Sequence, residues 1–250
     1  VGDNTNPFAS DGFAPIDEQN GRFAWDAQKS SGNANDLRGK ILRVTPQSDG
    51  SVTIPEGNLF DDVEHGARSE VFVMGNRNPF RISVDPKTGY LYWGEVGPDS
   101  GGRRDGRGPA GYDEINQARG AGNFGWPHFI ANNKPYNRYD FGSKKSLEAF
   151  VPAKPLNQSP NNTGIKELPA AQSAFIYYAH FPSVRWQTLN SGGGRTAMAG
   201  PVYYFDENLE SDHKLPKEYD HSLFIYEWSR NWIINVKLDE NDNIAKMERF

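Results

Sequence analysis

Glycine and proline recur along the whole chain and separate its short apolar runs. The 250 residues include 26 glycines and 17 prolines, spread between the apolar runs rather than gathered in one linker. Because both residue types favour turns, this spacing predicts many short strands joined by turns. Aromatic residues make up 13% of the chain, far more than a chain unable to form a core carries. The sequence therefore predicts an all-β fold with low helix content.

The apolar runs fall into three groups. The predicted strands are residues 40–45 with 51–54, residues 80–85 with 90–94, and residues 201–206 with 222–228 and 232–238. Asp-Gly and Pro-Lys-Thr-Gly stand at the first two turns and suit tight hairpins. The best helix candidates are residues 146–150 and parts of 161–171, and both are short. An apolar strand, a turn with acidic residues and an aromatic strand together favour the blades of a β-propeller.

Composition removes several classes of function. The chain has no cysteine, so disulfide scaffolds, zinc-thiolate sites and cysteine nucleophiles are excluded. The net charge is −5 with both signs interspersed, which argues against a nucleic-acid partner and a polybasic membrane patch. No apolar run approaches the roughly 18 residues that a membrane span requires. The expected partners are small molecules or proteins, and the absence of cysteine is compatible with a periplasmic or secreted bacterial protein.

Residues 75–79 (GNRNP) are the first candidate site. Arg77 and Asn78 precede a predicted strand, in a backbone restricted by proline. A guanidinium group presents a planar fork, and an amide offers both a donor and an acceptor, so the pair suits a carboxylate or a quinone oxygen. The alternative is that Arg77 only satisfies carbonyl groups of the turn.

Residues 94–99 (GEVGPD) and 113–116 (DEIN) are the second candidate site. Backbone carbonyls of Gly97 and Pro98, with Asp99, Asp113 and Glu114 nearby in sequence, offer only hard oxygen ligands. Calcium accepts such ligands, whereas zinc prefers softer ones. The alternative is a set of acidic residues that are simply solvated at loop edges.

The remaining candidates are a ring and two cations. Trp126, in the glycine-rich segment GNFGWP, suits either the wall of a site for a flat ligand or the cap of a core. Arg195 follows a glycine run and Arg230 follows a predicted strand, so both are expected at a channel mouth or in surface ion pairs. No hydrolase elbow or nucleotide-binding glycine motif is present. The histidines are more typical of structural residues than of a triad; they are His65, His128, His180, His213 and His221.

The order of these motifs resembles the glucose/sorbosone dehydrogenase family, the soluble sugar dehydrogenases that use pyrroloquinoline quinone (PQQ). The segments that carry the resemblance are residues 2–5 (GDNT), 35–43 (NDLRGKILR), 75–79, 94–98, 113–116 and 120–127 (GAGNFGWP). They span most of the chain. The resemblance implies a six-bladed β-propeller in which PQQ and calcium lie in the channel, and a histidine takes a proton from the sugar as hydride passes to the quinone.

The resemblance also assigns residues. Arg77 and Asn78 are expected to contact PQQ, and Arg230 is expected to pair with a cofactor carboxylate. Arg195 is a further cofactor-binding candidate because of its expected place at the channel mouth. The carbonyls of Gly97 and Pro98 are expected to bind the calcium ion. The sequence departs from the family at Phe80, where the family places a glutamine, and a ring cannot replace the hydrogen bonds of that side chain.

The family's catalytic histidine is expected upstream of Val1, so no catalytic residue is assigned. At about 45 to 70 residues per blade, residues 1–250 are expected to supply about four blades of one propeller domain, as an inactive fragment of a longer protein. The sequence favours a PQQ- and calcium-dependent oxidation of a sugar or related alcohol, with an electron acceptor as partner. A calcium-containing propeller that only binds carbohydrate, and a calcium-dependent lactonase, remain alternatives.

Overall fold

Strands dominate the regular structure. The computed structural model describes residues 15–60, 66–183, 185–189 and 193–250. The helices of this part of the chain are short 3-10 turns at Phe23–Trp25, Ala27–Lys29, Gln187–Leu189 and Lys217–Tyr219. Its strands are β1 Ile41–Leu42, β2 Thr45–Pro46, β3 Val52–Thr53, β4 Val71–Met74, β5 Pro79–Val84, β6 Leu91–Glu95, β7 Asp113–Ala118, β8 Gly122–Asn123, β9 Phe129–Ile130, β10 Lys134–Pro135, β11 Asn137–Asp140, β12 Lys145–Ala149, β13 Ile176–Tyr178, β14 Ala197–Tyr203, β15 Ser222–Glu227, β16 Trp232–Leu238 and β17 Ile244–Arg249. The all-β prediction is confirmed.

Two antiparallel four-stranded sheets organise these strands. The first has the order β5-β6-β7-β13 and the second the order β14-β15-β16-β17. A smaller sheet, β1-β4-β8, pairs β4 with β8 in parallel, and three two-stranded hairpins complete the pattern. Among the described residues, none of the helices has the length and apolar character needed to cross a bilayer.

Turn chemistry explains which predicted hairpins form. β5 and β6 pair as expected, and Gly89 adopts φ +73° while its N–H donates to the carbonyl of Asp85 at 2.9 Å. The predicted hairpin at residues 40–54 is present only in part. Its tip pairs β2 with β3, whereas β1 pairs with β4 instead of the returning strand.

The C-terminal group of strands is confirmed and extended. β14, β15 and β16 pair in succession, and β17, which sequence reasoning missed, completes the sheet. The better of the short helix candidates, residues 146–150, is not a helix, because Lys145–Ala149 is β12 and pairs with β11. A five-residue segment is too short to offset the cost of starting a helix, so cross-strand pairing prevails.

The second helix candidate, residues 161–171, contains no helix either. The Asn162 side chain donates to the carbonyls of Asn157 and Ile165 at 3.1 Å, which fixes a loop. Asparagine side chains compete with helical hydrogen bonds in this way.

The largest apolar cluster joins the two four-stranded sheets. It contains Tyr92 and Ile115 from the first sheet together with Leu223, Ile225 and Ile234 from the second, all fully buried. Close packing needs a residue without a side chain where β6 meets β14. A Cβ atom at Gly94 would lie 2.3 Å from the carbonyl oxygen of Ala197, so only glycine fits there. The sheets therefore pack as a pair, with the ends of β5, β6 and β14 adjoining one another.

Candidate functional site

Asp113 is the centre of the hydrogen-bond network at this end of the sheets. Its Oδ1 atom accepts from the N–H of Gly97 at 2.9 Å and from Nη1 of Arg195 at 3.0 Å. Its Oδ2 atom accepts from the N–H of Ala197 at 2.9 Å. Burial raises the pKa of Asp113 to about 6, while Arg195 and the two backbone donors oppose the rise. The carboxylate therefore links the loop after β6 to the start of β14.

Two guanidinium groups hold the Gly97–Pro98 segment. Arg77 donates through Nη1 to the carbonyls of Val96 at 2.9 Å and Gly97 at 3.0 Å, and Arg195 donates through Nη2 to the carbonyl of Pro98 at 2.6 Å. The segment also touches backbone on its other side. A Cβ atom at Gly97 would lie 1.7 Å from the carbonyl oxygen of Tyr112, which excludes any other residue. The geometry thus fixes the orientation of the two predicted ligand carbonyls.

The donor set as arranged does not fit a calcium ion. The carbonyls of Gly97 and Pro98 each accept from a guanidinium group, so a dication between them would meet two like charges at short range. The carboxylate of Asp113 is paired with Arg195. Among the described residues, no group of three or more acidic or histidine side chains is arranged to hold a metal ion. Asp99 is exposed at the edge of this segment.

Glu114 and Glu95 form a buried pair beside this segment. They are register partners on β7 and β6. Glu114 accepts from the N–H of Ala131 at 2.5 Å and from Nδ2 of Asn116 at 3.1 Å, and Glu95 accepts from the N–H of Arg77. Burial raises the pKa of both carboxyls, and the charge of Glu114 raises that of Glu95 further. Sequence reasoning missed Glu95, although it stands inside the GEVGPD motif.

Arg230 lies near Arg195, but its guanidinium group donates to backbone carbonyls. Its Nε donates to the carbonyl of Gly194 at 2.8 Å and its Nη2 to that of Ala179 at 2.7 Å. Its guanidinium carbon also lies 4.9 Å from the ring centroid of Tyr178. The structure therefore places Arg230 close to Gly194, the residue before Arg195. The guanidinium donors of Arg230 hold together the loops that contain Gly194 and Ala179.

A cavity of about 400 Å³ lies where the ends of β5, β6 and β14 adjoin. Its lining residues are Asn78, Phe80, Arg81, Val96, Thr196, Ala197, Met198 and Trp228. A bulge in β5 at Arg81, which has φ +58°, interrupts the pairing next to Phe80. Phe80 and Trp228 are 53% and 77% exposed, so two rings face accessible space. Sequence reasoning missed Trp228 and Thr196, which lie far from Asn78 in the chain.

This cavity fits a flat aromatic ligand better than a bare ion. Two exposed rings give apolar walls, and Asn78, Thr196 and Arg81 place an amide, a hydroxyl and a cation among the lining residues. Such a combination of apolar walls with a few polar groups is typical of cofactor sites.

The other predicted ring is a core residue. Trp126 is 3% exposed and packs edge-on against Tyr136 at 5.7 Å. Three of the described histidines have environments typical of structural or surface residues. His128 is buried, His213 is exposed, and His221 bonds to Asp242 at 2.8 Å. His65 and the segment 2–5 lie outside the described residues.

His180 is the one described histidine that adjoins the network around Arg195. It is exposed, and burial of its ring together with the charge of Arg195 lowers its pKa.

The all-β fold and the order of the motifs indicate one class of protein, and sequence comparison identifies the family. The family model for glucose/sorbosone dehydrogenase matches residues 17–192, which is more than half of the chain. The chain belongs to the glucose/sorbosone dehydrogenase family, and the resemblance read from its motifs is confirmed.

Individual relatives match shorter parts or diverge further. The chain is 36% identical to the aldose sugar dehydrogenase YliI of Escherichia coli K12 over 91 residues, which is 36% of this chain and 20% of that protein. The solved apo form of the soluble aldose sugar dehydrogenase from Escherichia coli is 19% identical with a TM-score of 0.46, over 88% of this chain and 46% of that one. The PQQ-bound aldose sugar dehydrogenase from Streptomyces coelicolor is 16% identical with a TM-score of 0.45, over 90% and 43%. The chain thus spans less than half the length of these relatives.

Proposed function

We propose that this protein takes part in the oxidation of a sugar or related alcohol with PQQ as the electron acceptor, and that its two four-stranded sheets are blades of one β-propeller domain. Family membership supports the reaction class. The observation that carries the quinone is the cavity of about 400 Å³ between Phe80 and Trp228. When bound, PQQ supplies an acceptor for the hydride of the alcohol.

The residues of this chain would bind and orient the quinone. The ring faces of Phe80 and Trp228 would cover its apolar surface, and the amide of Asn78 would hydrogen-bond to its oxygen atoms. Arg81 lines the same cavity and offers a cation to a carboxylate substituent. Phe80 thus supplies stacking where the family supplies a hydrogen bond.

Calcium binding at the predicted ligand carbonyls would need a change in two side chains. The carbonyls of Gly97 and Pro98 would bind it only after Arg77 and Arg195 turn away, since both guanidinium groups now donate to those oxygens. We therefore propose PQQ binding that does not require calcium in the conformation described. A periplasmic or secreted location and a separate electron acceptor belong to the same proposal.

A titration of the purified 250-residue chain with PQQ, with and without calcium, tests the quinone site. We expect an absorbance shift and quenching of tryptophan fluorescence, and about fivefold weaker binding for Trp228→Ala, since stacking of one ring is worth about 1 kcal/mol. Trp25→Ala is the matched control because Trp25 stacks with Arg22 and does not line the cavity. Dye reduction with an aldose is then measured on the loaded protein. Absence of any PQQ binding would refute the quinone site.

A second candidate is a module that only binds carbohydrate. Phe80 in place of glutamine favours it, because two exposed rings without that hydrogen bond also suit the apolar face of a sugar. Sugar binding that is lost in Trp228→Ala, with no PQQ binding, would establish this candidate instead of the first.

A further inference from the structure

A second pocket, of about 410 Å³, lies between the loop after β6 and the β9-β10 hairpin. Its lining residues are Arg103, Arg104, Gly106, Gly108, Pro109, Ala110, Tyr112, Lys134, Pro135, Asn137 and Phe181. We call it the Tyr112 pocket. None of the residues named so far for quinone binding lines it.

The Tyr112 pocket carries charge of one sign. Arg103, Arg104 and Lys134 line it, and no lining residue is acidic. Arg103 pairs with Asp105 at 3.0 Å on the surface, whereas Arg104 and Lys134 have no carboxylate partner among the residues that the structure describes. The chain as a whole is acidic, with a net charge of −5. A cleft of cations on an acidic protein concentrates anions locally.

A further cation stands behind the lining. Burial and the positive charge of Arg104 lower the pKa of Arg107, while Tyr139 and the charge of Asp17 oppose this decrease. Arg107 itself packs over the ring of Tyr139 at 4.0 Å. The loop therefore presents an excess of positive charge toward the pocket.

Aromatic surface adjoins these cations. The rings of Tyr112 and Phe181 meet edge-on at 6.2 Å, and Nζ of Lys134 lies 5.8 Å from the ring centroid of Tyr112. Phe181 is 47% exposed. The C–H faces of a sugar ring pack on aromatic faces, which carry partial negative charge, while guanidinium and ammonium groups bind carboxylates. Rings and cations together suit a ligand that has both a sugar face and an acid group.

The pocket shares Tyr112 with the candidate functional site. The backbone of Tyr112 abuts Gly97, and its side chain also borders the small buried space next to Arg77 and Glu95. Tyr112 therefore connects the pocket to the Gly97–Pro98 segment.

We propose that the Tyr112 pocket binds the carboxylate of an acidic sugar, with the sugar ring on Tyr112 and Phe181. Arg104 and Lys134 hold the acid group. That the acidic sugar is also a substrate rests on the proposed function. Acidic sugars such as aldohexuronates would then be the preferred substrate class. Binding itself does not depend on that function, since it requires no quinone.

Calorimetric titration of the 250-residue chain with glucuronate, in the absence of PQQ, tests the proposal. We expect glucuronate to bind at least tenfold more tightly than glucose, and binding to weaken as salt screens the charges. Loss of each cation should weaken binding about tenfold in Arg104→Ala and Lys134→Ala, because charge-assisted hydrogen bonds are the strong ones. Lys154→Ala is the matched control, since Lys154 is exposed and pairs with Glu167 elsewhere.

The outcomes distinguish an acidic sugar from PQQ as the source of the bound carboxylate. Glucuronate binding that depends on Arg104 and Lys134, with unchanged binding in Lys154→Ala, supports the proposal even if PQQ never binds. No glucuronate binding, or equal binding of glucuronate by the Arg104→Ala/Lys134→Ala double variant, overturns it. PQQ binding lost in the same double variant, without glucuronate binding, overturns the sugar assignment and gives the pocket to the cofactor's carboxylates. Circular dichroism confirms that each variant is folded.

Discussion

Acid should destabilise this protein through His128, a residue in the loop that follows the GNFGWP motif. The ring is 1% exposed, lies 4.3 Å from the ring of Phe150, and has one polar neighbour, Oε1 of Gln28, at 3.4 Å from Nε2. Burial lowers the pKa of His128 to about 3 from its ordinary value of 6.5. In the unfolded chain the ring takes up a proton below that ordinary value, whereas in the folded chain it remains neutral until about pH 3.

The sign and size of the effect follow from this difference. Because only the unfolded state gains the proton, the contribution of His128 to stability is present above its ordinary pKa and is lost as pH falls toward 3. The full shift of about 3.5 pKa units corresponds to about 5 kcal/mol, and about 2 kcal/mol of it is lost between roughly pH 7 and pH 5. Buried carboxyls with raised pKa values act in the opposite direction, so the effect of His128 has to be isolated by comparison.

Urea unfolding of the wild-type chain and of His128→Gln, at about pH 7 and pH 5, isolates it. The variant should lose about 2 kcal/mol less free energy of unfolding on acidification than the wild type, whatever its stability at neutral pH. The exposed His213→Gln serves as the matched control and should follow the wild type. An NMR titration of His128 in the wild type gives its pKa directly. Equal pH dependence in His128→Gln and wild type, or a measured pKa near 6.5, would refute the reasoning.

Two substitutions test the packing that positions the site. Gly94→Ala should lower the free energy of unfolding by about 1–3 kcal/mol, because its Cβ atom meets backbone of β14, whereas Gly101→Ala, with open space around it, should leave stability nearly unchanged. Arg195→Met should cost about 3–5 kcal/mol because it leaves the Asp113 carboxylate buried without its ion partner. Arg138→Met removes an exposed pair and should cost at most about 1 kcal/mol. Chemical denaturation measures all four, and a loss for Arg138→Met as large as for Arg195→Met would contradict the assigned burial.

The parts of the fold that the sequence predicts are those encoded over a few residues. The β5-β6 hairpin follows from Pro86 and Gly89 at its turn, and the Gly97–Pro98 segment stands out because its motif is continuous. The helix candidate at residues 146–150 forms a strand because its partner, β11, decides that conformation. The sequence of a short segment shows its own conformational preference but not which strand it will pair with.

The parts of the site that were missed depend on distant contacts. Asp113 and Arg195 are 82 positions apart, so no local pattern shows that they neutralise each other. Sequence reasoning placed Arg195 and Arg230 at the cofactor, but only the folded structure shows that their donors are taken up by carbonyls and by Asp113. Trp228 was hidden for the same reason, since a tryptophan after a strand gives no sign of which cavity it borders.

The position of Asp113 has a consequence for how the molecule opens. One carboxylate holds the amide protons of Gly97, in a loop of the first sheet, and of Ala197, at the start of the second. Because Asp113 belongs to the first sheet, separating the sheets at this end exposes the N–H of Ala197 and removes Arg195 from the carboxylate, while the N–H of Gly97 stays bonded. Exchange of the Ala197 amide in heavy water should accordingly report separation of the two sheets, whereas exchange of the Gly97 amide requires local opening of the loop after β6.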